Sequence, residues 1–200
     1  MALKNIFLHQ FHKDHNAKFI PFADYEMPIN YEFGIIKEHK HVRNSVGIFD
    51  VSHMGQILIT ISDSNIYSLE KYIPLNLKKL KINKSYYSFL INENGGIIDD
   101  LIISKILSEG NEFFYIVYNS SRKIIDEKIF KNCLSKFIFL DKNSLIAVQG
   151  PKSEIVLKFF NIPKDFYFMN SIVITYCDHL IIISRSGYTG EDGFEISIPN

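Results

Sequence analysis

Two adjacent carboxylates, Asp99 and Asp100, stand inside the apolar run IIDDLII. Neighbouring residues of a strand point to opposite faces, so only one of the pair can enter a core or cleft while the other faces water. Burial drives an inward aspartate toward its protonated form unless hydrogen bonds hold its charge. Such a group can act as an acid, a base or an anchor for an amine. The same spacing also suits two capping carboxylates just after the Gly95-Gly96 turn. The pattern alone leaves that choice open.

Ser52-His53-Met54 follows Asp50 closely, but a hydrolytic triad is assembled by geometry and not by adjacency. No G-x-S-x-G elbow occurs in the chain, so a pocket-lining loop with Met54 as an apolar wall is the better reading. GYTGEDG, residues 187–193, carries three glycines in seven positions, which marks a tight exposed connection. It lacks the strand-to-helix G-x-G-x-x-G pattern, a Walker lysine and calcium-loop spacing, so its plain reading is a hairpin turn. His9, His12 and His15 recur at intervals of three without a nearby cysteine, and His39 lies on a helical stripe. No metal site is assigned. Only three basic residues are arginines, Arg43, Arg122 and Arg185, and compositional bias is their simplest explanation.

These groups need elements to position them. Residues 3–15 read as a helix, and the prolines of FIPFADYEMPINY exclude a continuous helix there. A second helix fits 32–46 with Gly47 as its C-cap, and GIFDVSHMGQILITI reads as strand, interruption, strand. Ser64 is placed as the N-cap of a short helix through Lys71. Residues 86–91 and 97–106 form a hairpin across ENGG, and FFYIVYN supplies a third strand. Ser120 or Ser121 caps a helix through Phe130 with Ile124, Ile125, Lys128 and Ile129 on one side. A strand at 145–148, a helix from Pro151 to Phe160, a hairpin at 172–176 and 180–184, and a terminal FEISI strand complete the chain. Helices interspersed with antiparallel hairpins define an α+β class.

Composition bounds the function. The chain has 200 residues, 46% hydrophobic and 22% charged, which excludes wholesale disorder and a disulfide scaffold. Lys plus Arg and Asp plus Glu are both 22, so there is no excess positive charge for a phosphate backbone. No apolar run is long enough for a membrane helix. Cys133 and Cys177 are far apart and outside any C-x-x-C motif. Two ordinary thiols, at least one of them buried, and a cytoplasmic location are expected.

The segments GIIKEHKHVRNSVGIFDVSHMGQ (34–56), NENGGIIDDLI (92–102), IVYNSS (116–121), AVQGP (147–151) and SGYTGEDGFEISIPN (186–200) run nearly the length of the chain. In this order they resemble the N-terminal half of the glycine cleavage system T-protein family, aminomethyltransferases of a wider folate-dependent superfamily. The resemblance implies an α+β fold of antiparallel sheets with packed helices. Two interleaved subdomains are expected, about 1–55 with 140–200, and 56–139. It also implies transfer of a methylene group from an aminomethyl-dihydrolipoyl carrier, the H-protein, to tetrahydrofolate, with release of ammonia. Asp99 becomes the functional carboxylate and Asp100 its outward neighbour. Met54, Tyr87, Asn119, Tyr188 and Glu195 become the folate pocket, with Glu195 accepting from the pterin ring. A folate-dependent demethylase and a non-enzymatic folate-binding scaffold are the rival readings.

Two departures from the family pattern stand out. Its Phe-x-Gly-Trp-x-Met-Pro segment is here Phe22-Ala23-Asp24-Tyr25-Glu26-Met27-Pro28, which puts Asp where a positive φ is expected. Family members are also longer, with a second half and a C-terminal β-barrel. The chain is therefore expected to be a truncated, N-terminal portion.

Overall fold

Period-two burial and two-residue turns shape most of the structure, a computed structural model describing residues 2–200. In chain order the elements begin α1 (His9–Asp14), β1 (Lys18–Phe22), β2 (Tyr25–Asn30), α2 (Ile35–Asn44), β3 (Gly47–Asp50), β4 (Gly55–Thr60) and α3 (Asp63–Leu69). They continue with β5 (Lys84–Ile91), β6 (Ile97–Ser108), β7 (Asn111–Tyr118), α4 (Lys123–Cys133), β8 (Phe137–Phe139) and β9 (Asn143–Gln149). The last are α5 (Ser153–Val156), β10 (Ser171–Tyr176), β11 (His179–Arg185) and β12 (Gly193–Pro199). The fold is α+β; β11–β12, β12–β9 and β9–β3 pair antiparallel in one large sheet, as do β5–β6, β6–β7, β7–β4 and β4–β8 in the other. The chain divides into two units: 1–53 with 142–168 and 174–200, and 54–141 with 169–173.

In the second unit the strands run in the order β5-β6-β7-β4-β8. One sheet face carries Leu90, Leu101, Ile103, Phe114, Ile116, Ile57 and Ile59, and helices α3 and α4 add Ile66, Leu69 and Phe130 to the same core. Each such side chain, fully buried, contributes roughly 1.5–3 kcal/mol by leaving water. Gly55 is required here. A Cβ on it would lie 2.0 Å from the Tyr118 ring, its cross-strand partner.

Ser62, not Ser64, caps α3 by accepting from the Asn65 amide at 3.1 Å. Neither Ser120 nor Ser121 caps α4; a 3₁₀ turn over Ser120–Arg122 leads into it instead. Of the isoleucines on α4, only Ile129 packs against the core. Ile124 and Ile125 are exposed, whereas Asp126 and Phe130, one turn apart, are buried.

The first unit holds a sheet in the order β10-β11-β12-β9-β3 and a separate β1–β2 hairpin. That hairpin replaces the irregular segment expected from Pro21 and Pro28. A two-stranded sheet is all edge, so each strand tolerates a proline. Phe22 pairs with Tyr25 across Ala23 and Asp24, whose φ values are 46° and 68°. Positive φ at both positions is the type I′ turn, and Asp24 occupies the family's glycine position at tolerable strain.

Helix α1 is shorter than expected because Lys4 is spent in extended pairing, donating its amide to Asp24 O and accepting from the Glu26 amide. Helix α2 ends at Ser45, so Gly47 opens β3 and does not cap the helix. The helix after Pro151 is only α5 followed by a 3₁₀ turn. Neither cysteine is fully buried; Cys133 is half-buried, and Cys177 is exposed with φ 49° in the link between β10 and β11. No described helix is long and apolar enough to cross a membrane.

Candidate functional site

Asp99 enters the second unit's inner face by strand alternation. It lies opposite the fully buried Leu90, shares its face with Leu101 and Ile103, and is itself only 7% exposed. Asn119, immediately after β7, reaches it twice. The Asn119 amide donates to Oδ2 at 3.0 Å and Nδ2 donates to Oδ1 at 3.0 Å. Those two donors replace the water that burial strips from the Asp99 carboxyl.

Asp100 is half-buried on the other face, but it is not a bystander. Asn119 Nδ2 also reaches Asp100 Oδ1 at 3.0 Å, and the exposed Tyr87 donates its hydroxyl to Asp100 Oδ2 at 3.1 Å. That hydrogen bond is the main reason the Tyr87 phenol is held above its ordinary value. Asp100 thus lies on the face opposite Asp99, as alternation requires, and is tied to Asn119 and Tyr87 there. One asparagine bridges both carboxyls because it follows the end of β7, whose Tyr118 pairs with Leu101 next to them in β6.

A third carboxyl, Asp126, stands beside Asp99 and was missed in the sequence. It is wholly buried on α4, and burial followed by the neighbouring Asp99 raises it to about 8. Arg122, whose Nε donates to Ile98 O at 2.9 Å, acts in the opposite direction. The available signal was its position one turn before Phe130, but a strip of isoleucines on the exposed side outweighed it.

In the first unit, Glu195 on β12 is 5% exposed and accepts from Ser186 Oγ at 2.8 Å. Burial raises its carboxyl, while hydrogen bonds from Tyr188 and Ser186 partly offset that effect. The structure thus brings together two of the expected pocket residues, Tyr188 and Glu195.

Their loop is pinned by Gln149, which sequence reading passed over within AVQGP. Gln149 Nε2 donates to Ser186 O at 3.1 Å, and the Tyr188 amide donates to its Oε1 at 3.2 Å. Arg43 donates to Thr189 O and pairs with Glu191 at 3.1 Å. Arg185 grips Asp192 with two hydrogen bonds, 3.0 and 2.6 Å. Each of the three arginines therefore ties down a backbone segment or loop, a use the guanidinium fork suits better than an ammonium.

Met54 is half-buried at the start of the second unit and makes none of these hydrogen bonds. Asp50 bonds His12 at 3.0 Å and accepts from the Ser52 amide, while Ser52 Oγ accepts from the Leu145 amide. This spends the Ser52 hydroxyl on backbone. His9 shares a hydrogen bond with Glu26, and His15 with Phe11 O. Among the described residues, no group of three or more His, Cys, Asp or Glu is arranged to hold a metal ion. A separate apolar cleft of about 780 Å³ in the first unit is lined by Ile20, Phe22, Phe33, Ile48 and Phe49 among others, and by none of the expected site residues.

The α+β fold of antiparallel sheets with packed helices is that of an aminomethyltransferase domain. Residues 8–200 match the GCVT N-terminal domain model, and the chain belongs to that family. It is 39% identical over 210 residues to an aminomethyltransferase of Thermoanaerobacter pseudethanolicus, covering 99% of this chain and 55% of that protein. It is 40% identical over 212 residues to a mitochondrial aminomethyltransferase of Dictyostelium discoideum, covering 99% and 51%. The crystal structure of glycine cleavage system aminomethyltransferase T from Bartonella henselae superposes with a TM-score of 0.86 at 37% identity, over 98% of this chain and 54% of that one. The chain spans about half the length of these relatives.

Proposed function

We propose that this chain supplies the folate-binding part of an aminomethyltransferase of the glycine cleavage system. The reaction moves the methylene of an aminomethyl-dihydrolipoyl arm, carried on the H-protein, to tetrahydrofolate and releases ammonia. Tetrahydrofolate is the acceptor substrate, and the H-protein is the macromolecular partner in a cytoplasmic setting. The observation that carries this reading is Asp99, a buried carboxylate fixed by two Asn119 donors within the family's motif.

The chemistry asks for positioning and one proton acceptor. Asp99 orients the amine or takes its proton, and Asn119 keeps the carboxylate from rotating away. Glu195, fixed by Ser186, offers acceptor oxygens to the amino-pyrimidinone edge of a pterin. Tyr87 and Tyr188 are exposed aromatic faces suited to stacking, and Met54 supplies an apolar wall.

The test is calorimetric titration with tetrahydrofolate together with a transfer assay using an aminomethyl-loaded lipoyl carrier and the full-length protein. Binding with methylenetetrahydrofolate formation is expected. Binding without transfer would favour the scaffold, and transfer from a methylated amine without the carrier would favour the demethylase.

A further inference from the structure

Asp126 is fully buried, and neither of its carboxyl oxygens meets an N–H or O–H donor among the described residues. An ionised carboxylate in that position would have nothing to replace its lost water, a penalty of several kcal/mol. A protonated one needs only an acceptor for its O–H. Asp99 lies beside it, and the Asp99 oxygens already receive the Asn119 amide and Nδ2, which makes Asp99 the accepting member of the pair. We propose that Asp126 and Asp99 form a dyad holding one proton, in which Asp126 donates that proton to the Asp99 carboxylate as a positioning residue. The inference rests on the reading of Asp99 given above for its bearing on catalysis, although the dyad itself does not.

The arrangement has a physical consequence at the site. A single shared proton limits the pair to one negative charge, which can attract a protonated amine without two anions repelling each other inside the core. The donated O–H adds a further fixed contact to the two that Asn119 makes with Asp99, so that the carboxyl is held in one orientation. The titratable and charged groups that bear on Asp126 are Asp99 from β6, Tyr118 from β7, Arg122 from the preceding turn and Glu127 from α4 itself. Only Arg122 favours ionisation of Asp126; burial, Asp99 and Glu127 oppose it.

The test is carbon NMR of the chain labelled at aspartate Cγ. One carboxyl signal should titrate with a midpoint near 8. That signal should vanish in Asp126→Asn, and in Asp99→Asn its midpoint should fall by about one unit or more once the neighbouring charge is gone. Spectra in which every aspartate titrates below about pH 6, or a midpoint unmoved by Asp99→Asn, would overturn the dyad.

In the full-length protein, Asp126→Ala should lower kcat about tenfold to a hundredfold with the tetrahydrofolate KM within about twofold. Asp126→Asn, which keeps a donor toward Asp99, should recover most of that loss and abolish any alkaline limb of the pH profile near 8. If Asp126→Ala and Asp126→Asn lose activity equally, the positioning role is overturned. A wild-type protein that transfers nothing while showing the high-pH carboxyl would refute the proposed function and leave the dyad standing.

Discussion

Asp99 and Asp100 show how far residue types alone can carry an assignment. Alternation in IIDDLII predicts one inward and one outward carboxylate, and Asp99 is the buried member. What alternation cannot see is Asn119, about twenty residues away, whose side chain ties the two carboxylates together across strands. Asp126 was hidden for a similar reason: the buried face of α4 is set by packing of Phe130 against the sheet, not by where isoleucines cluster.

Two predictions belong to this scale. Glu195→Gln keeps the shape but removes the charge, and should weaken tetrahydrofolate binding by about 1.5–3 kcal/mol in a calorimetric titration. The second concerns stability. The Asp126 carboxyl sits at about 8 when folded, against roughly 3.9 when unfolded, so the folded chain keeps a proton that the unfolded chain releases. Stability should therefore fall as pH rises from about 4 to 8 and level off beyond. Asp126→Asn removes that slope. Relative to wild type it should gain on the order of 3–4 kcal/mol between pH 5 and pH 8, read from denaturant melts at both values. An unchanged difference would contradict the buried neutral carboxyl.

At the scale of elements, hairpins were the most legible feature. The β5–β6 pair was read from alternation and a Gly-Gly turn, and FFYIVYN, read as a third strand, is β7 beside β6. The β1–β2 hairpin was not, because Ala23-Asp24 lacks the glycine that usually announces a type I′ turn and the prolines spoke only against a continuous helix. Short pieces such as β8 and the 3₁₀ turns are decided by tertiary packing, which leaves little trace in local sequence. Gly55 tests the packing directly. Gly55→Ala would press a methyl into the Tyr118 ring, so it should destabilise the second unit by about 1–3 kcal/mol. A melt indistinguishable from wild type would mean that the ring moves aside without strain.

At the scale of the molecule, the first unit presents Phe33, Ile36, Ile48 and Phe49 to solvent, several of them around its apolar cleft. Contiguous apolar surface of this kind binds hydrophobic dyes and promotes association. The isolated chain should therefore enhance the fluorescence of a hydrophobic dye, and Phe49→Lys should reduce that enhancement. The functional account, in turn, stands on the division of labour between two neighbouring carboxylates. It is tested most directly by paired kinetics of Asp99→Asn and Asp100→Asn in the full-length protein, measuring methylenetetrahydrofolate formation from the aminomethyl-lipoyl carrier alongside tetrahydrofolate affinity. Asp99→Asn should cut transfer by roughly 10²–10⁴ with little change in affinity, the usual worth of a positioned base. Asp100→Asn, which disturbs only the Tyr87 and Asn119 contacts, should lose less than about tenfold. Equal losses, or a larger loss at Asp100, would contradict the assignment of the reacting carboxylate to Asp99.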